Sequence, residues 1–282
     1  MYHKALLSKL KKYFFAGCLL ILLVNNYCFA QVTPPGLGLT NAVAWAAVGL
    51  RQDLDTVKKW QSMTYFGVGR KSNPDNYDPL YKPAIVIFNQ EFYRQLSTRW
   101  QYSLAASYRR QDEYDDNYPY GYEDPKIKQE FRVYGRFSHI FKTGRLKLVP
   151  TFRQEFRKFY APDFTNVSEN FQLRSRFRLQ LTVNLDAGKI HRLIAASEQL
   201  FAVSKNNTPD AWTDFKYKES RFALYYSLSL HARPFVINIG YMNNVLPGKP
   251  THYGHYIGVD ITFTNPFKIK RKKKESAGEN LE

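Results

Sequence analysis

The sequence predicts an all-β protein: a single antiparallel transmembrane β-barrel of about 10–12 strands behind a cleaved signal peptide. Three observations predict it. Apolar and polar residues alternate with a period of two along most of the chain. Most of the alternating segments are about ten residues or longer, the length a tilted strand needs to cross a bilayer, whereas ordinary strands average about five or six. Tight turns alternate with long loops rich in Asp, Asn, Pro and Tyr, as in barrels with short turns on the periplasmic side and long loops outside.

The targeting segment comes first. Lys4, Lys9, Lys11 and Lys12 form a basic start, and "FFAGCLLILLV" is an apolar run too short to span a bilayer. Cys28 and Ala30 put small residues before a cut near Ala30/Gln31. A lipoprotein cysteine at Cys18 is disfavoured, because the apolar run follows it instead of ending there. Both cysteines lie in this segment, so the mature chain is expected to have none and to need a source of stability other than disulfides. Its loss lowers the net charge from +17 to +13. The expected organisation is a signal peptide over 1–30, a barrel over 31–267 and a basic, disordered periplasmic tail over 268–282.

The 282-residue chain is 44% hydrophobic, with 21 Tyr and 21 Phe. Its mean hydropathy is nevertheless −0.47, because the apolar residues are interleaved with polar ones. Strands are expected near Ala42–Leu50, Trp60–Arg70, Ala84–Leu96, Trp100–Gln111, Lys128–Ile140, Leu146–Phe159, Phe171–Leu185, Arg192–Val203, Phe215–Leu230, Phe235–Asn244 and Tyr253–Phe263. These make eleven, whereas single-chain bacterial barrels have an even number. Ala42–Leu50 is Ala-rich and alternates weakly. Either it is not a wall strand, which leaves ten, or a further strand makes twelve. Trp60, Trp100, Tyr108, Phe159, Tyr160, Trp212 and Tyr253 sit at strand ends, where interfacial girdles would be.

The strand faces place the charges. In "FQLRSRFRLQLTVNL", Phe171, Leu173, Phe177, Leu179 and Leu181 share one face, and Arg174, Arg176 and Arg178 share the other. An Arg facing lipid at the midplane costs roughly 2–4 kcal/mol. The apolar face is therefore assigned to lipid and the arginines to the interior. The same argument puts Arg132, Arg136, Arg153, Arg157 and Arg221 inside, with Glu130, Glu155, Glu219 and Asp260 as acidic partners. Two uses compete for this interior. One is a lumen filled by salt bridges, the preferred reading. The other is a narrow basic channel for small anionic solutes. Export to the envelope argues against nucleic acid as the partner of so basic a chain. No cofactor or metal is expected. The acidic loop "EYDDNYPYGYEDP" lacks the spacing of a calcium loop.

In "YIGVDITF", Gly258, Ile261 and Phe263 resemble the C-terminal signal read by the barrel-assembly machinery, although "TNPFKIKRKKKESAGENLE" follows it. Trp45 with Gly49, "WQYSLAASYRR", "KQEFRVYGRF", "SRFALYYSLSL", "INIGYMNN" and "HYGHYIGVDITF" resemble the uncharacterised outer-membrane barrels grouped as domain of unknown function 2490. The resemblance covers most of the mature chain. It implies an outer-membrane location and contact with outer-membrane lipid, and brings no activity and no catalytic residues.

The expected function is therefore that of a narrow or closed-lumen pore, or of a structural envelope protein, without enzymatic activity. A lipid-modifying barrel enzyme is one alternative. Its Ser and His candidates, Ser227 or Ser229 with His252 or His255, are expected at opposite ends of the barrel. A soluble periplasmic β-barrel binding protein is the other.

Overall fold

The computed structural model describes residues 34–207, 209–230 and 234–267. The expected signal peptide and basic tail lie outside the described residues. The described residues form thirteen strands and no helix: β1 Ala42–Asp53, β2 Trp60–Lys71, β3 Lys82–Gln95, β4 Trp100–Tyr114, β5 Tyr122–His139, β6 Phe141–Thr143, β7 Leu146–Tyr160, β8 Asn166–Asn184, β9 His191–Asn207, β10 Asp210–Trp212, β11 Lys216–Leu230, β12 Phe235–Leu246 and β13 His252–Thr264. The three-residue strands β6 and β10 only extend β7 and β9. The other eleven form a closed ring in which each strand pairs antiparallel with the next in sequence.

The ring closes with β1 parallel to β13, from Ala42↔His255 to Arg51↔Thr264. This corrects both the expected even count and the purely antiparallel sheet. In an up-and-down meander every strand reverses direction. An odd number therefore brings the last strand back parallel to the first, and a parallel ladder joins them. Ala42–Asp53 is a wall strand after all. Its weak alternation has a local cause: Ala44 and Ala46 are the small outward residues, and Trp45 faces inward, 3% exposed.

Glycines make room for that indole. A Cβ on Gly67 of β2 would lie 2.5 Å from the Trp45 ring, and one on Gly69 would lie 3.2 Å from it. This is why Met63–Gly69 carries no clean polar/apolar pattern. Gly240 of β12 does the same for Tyr225 of β11, and Gly258 of β13 lies between the two rings. The conformational cost of glycine in a strand is offset here by close packing of an aromatic ring on the wall.

Five connections, those after β1, β3, β6, β8 and β11, gather at one end of the barrel, the turn end. At the turn after β8, Asp186 accepts hydrogen bonds from the backbone N–H groups of His191 (2.6 Å) and Ile190 (3.0 Å), which lower its pKa. The other five gather at the opposite, loop end. There β4 and β5 continue pairing as far as Tyr114↔Tyr122, so much of the expected loop "EYDDNYPYGYEDP" is strand. β5, β8 and β9 run to 18, 19 and 17 residues. This exceeds the roughly 9–11 needed to cross a bilayer, so the wall stands tall on that side.

Residues 34–41 precede β1 and enter at the loop end. They turn inward and touch β2, β11 and β13. The Leu37 N–H donates to Tyr256 Oη at 2.9 Å, Lys71 Nζ donates to the Leu37 carbonyl at 3.2 Å, and Arg221 donates to the Pro34 carbonyl at 3.3 Å. Leu37 is buried. Gly36 passes so close to Glu219 that a Cβ would run into the carboxylate.

Candidate functional site

The period-two pattern of each strand decides what enters the barrel. In β8, Arg176, Gln180 and Thr182 are buried while Phe177 and Leu179 are exposed. The same division runs through β4, β5, β7, β11 and β13. All eight arginines expected inside, Arg132, Arg136, Arg153, Arg157, Arg174, Arg176, Arg178 and Arg221, are buried or half-buried on the inward face.

These residues form a continuous chain of ion pairs across β5, β7, β8, β9 and β11. Arg157 grips Glu130 with two bonds, at 2.7 and 2.9 Å. Glu130 also lies 2.6 Å from Arg132, which reaches Glu155 at 3.1 Å. Glu155 is fully buried and takes Arg153 at 2.7 Å and Arg176 at 2.8 Å as well. Arg176 continues to Glu198 at 3.7 Å, and Glu198 to Arg221 at 3.4 Å. Arg221 pairs with Glu219, which Arg174 approaches at 3.8 Å. Such charges are tolerated away from water only when paired and hydrogen-bonded. Here each carboxylate is shared by two or three guanidinium groups.

A second cluster sits beside the first. Glu91 of β3 accepts from Ser103 at 2.5 Å and from Tyr134 at 2.9 Å, and Arg136 lies 3.4 Å away. The Arg153 guanidinium stacks 3.4 Å from the Tyr134 ring centre. Neither Glu91 nor Glu198 was singled out from the sequence. Glu91 alternates with Phe88 and Phe92, and that signal would have found it. Glu198 lies in Arg192–Ser204, whose inward face is Arg, Ile, Ala, Glu, Leu, Ala and Ser and reads poorly as polar.

Asp260, expected as an acidic partner, stands apart. It is 3% exposed and makes no ion pair among the described residues, with the Trp45 indole as its polar neighbour. The reason is its place in the ring. It lies on β13 among Trp45, Tyr65 and Tyr225, on the aromatic side of the interior, while the arginines line β5 to β11.

Phe159 also differs from expectation. It points inward, 4% exposed, with Arg157 and Lys128 over its ring at 4.8 and 5.1 Å, so it belongs to no outer girdle. Trp60, Trp100, Trp212 and Tyr253 are exposed at the strand ends. Gly258, Ile261 and Phe263 lie in the last strand, with Gly258 under Trp45 and Tyr225 and Phe263 beside Phe235, 6.3 Å between ring centres. His252 bonds to the Thr40 backbone at the loop end, whereas Ser227 bonds to Arg192 near the other end, so the two do not meet.

The strand β5 and its successors to β12 carry most of this charged wall, and the comparison with known families falls on the same stretch. Residues 117–253 match the family described as "Protein of unknown function (DUF2490)". Comparison with curated proteins and with solved structures gave no match.

Proposed function

We propose that this protein is an outer-membrane β-barrel with a sealed interior, a structural component of the envelope and not an open pore. The observation that carries the reading is the continuous, buried chain from Arg157 to Arg174. Arg132, Glu155, Arg176 and Arg221 are each at most 5% exposed, so water has almost no access at their level. A conducting path needs a hydrated, continuous opening. The outward face supports the membrane part of the reading. Phe66, Leu104, Val133, Phe177, Leu224 and Ile257 are 50–60% exposed on six different strands. Soluble monomers rarely leave so continuous an apolar surface uncovered, whereas a barrel in lipid requires one.

On this reading residues 1–30 are a signal peptide cut near Ala30/Gln31, the chain from 31 to 267 is the barrel, and the basic tail 268–282 lies in the periplasm. Outer-membrane lipid and the barrel-assembly machinery are its partners. No covalent chemistry is proposed: among the described residues Ser227 and His252 lie toward opposite ends of the barrel, and the His255–Tyr241 and His191–Tyr226 contacts are exposed. The test is fractionation of cells expressing the full chain. Recovery in the outer membrane, with a folded form that migrates faster than the boiled form on a gel, is the expected result. Recovery in the soluble periplasm without detergent would overturn the reading.

A further inference from the structure

We infer that the loop end of the barrel holds a binding site for a monosaccharide-sized anion, a sugar bearing a carboxylate or a phosphate. A cavity of about 280 Å³ opens there among the tall strands β4, β5, β7 and β8, β11, and the inward-turned segment at Gly36 and Gly38. Its volume is at the lower edge of the range for small-ligand clefts, which suits one sugar ring and not an acyl chain.

The charges in the cavity are committed unequally. Glu130 is held by Arg132 and Arg157, and Glu219 by Arg221. Glu169 accepts from Gln172 at 2.8 Å and Ser204 at 2.6 Å. Arg109 is different. It lines the cavity across from Glu130 of β5, yet that carboxylate is taken by Arg132 and Arg157, and among the described residues Arg109 has no carboxylate within ion-pair distance and no hydrogen bond, with its Nε buried. Lys128 and Lys218 add positive charge around it. A guanidinium withdrawn from water without a partner is costly, and its fork fits a carboxylate or phosphate bidentately.

The neighbours of Arg109 exclude a bare anion as the whole ligand. Gln111 and Glu113 share its face of β4 and line the same cavity, and one carboxylate oxygen of Glu113 is buried without a partner. A simple inorganic anion would leave that oxygen unsatisfied and facing like charge. Sugar hydroxyls would donate to Glu113 and Gln111 while the anionic group sits on Arg109. The inference needs the barrel and its mouth, and does not depend on where the barrel resides or whether it conducts.

The experiment is calorimetric titration of the mature chain in detergent micelles with glucose 6-phosphate, glucuronate and glucose. Saturable binding of the two anions, with glucose at least about tenfold weaker, is expected. Arg109→Gln should weaken the anions by about tenfold or more, and Arg109→Lys by less, because charge remains but the fork is lost. Should Arg109→Gln fail to show the folded gel mobility, Lys218→Gln at the rim replaces it, with a severalfold loss expected. Displacement of glucose 6-phosphate by micelles of a phosphorylated glycolipid would identify a lipid headgroup as the source, and absence of displacement a free solute. No binding of either anion, equal binding of glucose, or an unchanged affinity in the folded variants would overturn the inference.

Discussion

Arg176 and Glu155 meet across the β7–β8 pair, Nε to Oε1 at 2.8 Å, with the carboxylate wholly buried. Arg132 and Arg153 converge on the same group. One negative charge thus holds three positive ones. Removing a partner from a buried pair costs about 3–5 kcal/mol, because the remaining charge is left uncompensated. Glu155→Gln should destabilise the barrel by about that amount in urea-dependent folding into lipid vesicles. An unchanged midpoint would show that the guanidinium groups are solvated and the interior is not sealed.

Asp260 presents the opposite case, a buried carboxylate that no cation pairs with among the described residues. Leaving such a group short of partners costs roughly 1–3 kcal/mol. Asp260→Asn should therefore leave stability unchanged or raise it by up to about that much in the same folding assay. A clear loss of stability would mean that the carboxylate serves an interaction made outside this chain.

The glycine pockets give a steric prediction. Gly67→Ala would press a methyl group into the Trp45 ring, and overpacking of this kind costs roughly 1–3 kcal/mol. Gly135→Ala is the control, since the nearest atom to its new Cβ, on Leu104, is 3.7 Å away. Thermal denaturation should separate the two variants. Equal losses would show that Trp45 moves freely off the wall.

Much of this was legible in the sequence, because a period of two is a direct image of the two faces of a strand. Phe171–Leu185 shows it best: Phe177 and Leu179 are outside, and Arg174, Arg176 and Arg178 are inside. The failures are local. Ala42–Leu50 reads poorly as a wall strand because Trp45 needs small residues around it. The parallel closure is invisible in any one strand, since it follows from the count alone. Arg109 gave no signal apart from other arginines. Only the ring arrangement shows that Glu130, directly across from Arg109 on β5, turns its carboxylate to Arg132 and Arg157 instead.

The odd count also fixes a topology. Residue 34 lies at the loop end, and β13 runs from there to finish at the turn end. Both cysteines lie in residues 1–30, so if that segment is cut off as proposed, single cysteines report cleanly. Asn117→Cys in the connection after β4 should react with a membrane-impermeant maleimide on intact cells. Ser97→Cys in the turn after β3 should react only after the outer membrane is opened. The reverse pattern would invert the barrel and place the cavity at Arg109 in the periplasm.

The central claim is that the interior is sealed by its own ion pairs, and conductance tests it most directly. The mature protein, refolded in detergent and inserted into a planar bilayer, should give no stepwise current. Stepwise anion-selective current that weakens when Arg174, Arg176 and Arg178 become Gln would contradict the claim and make that row of arginines a permeation path.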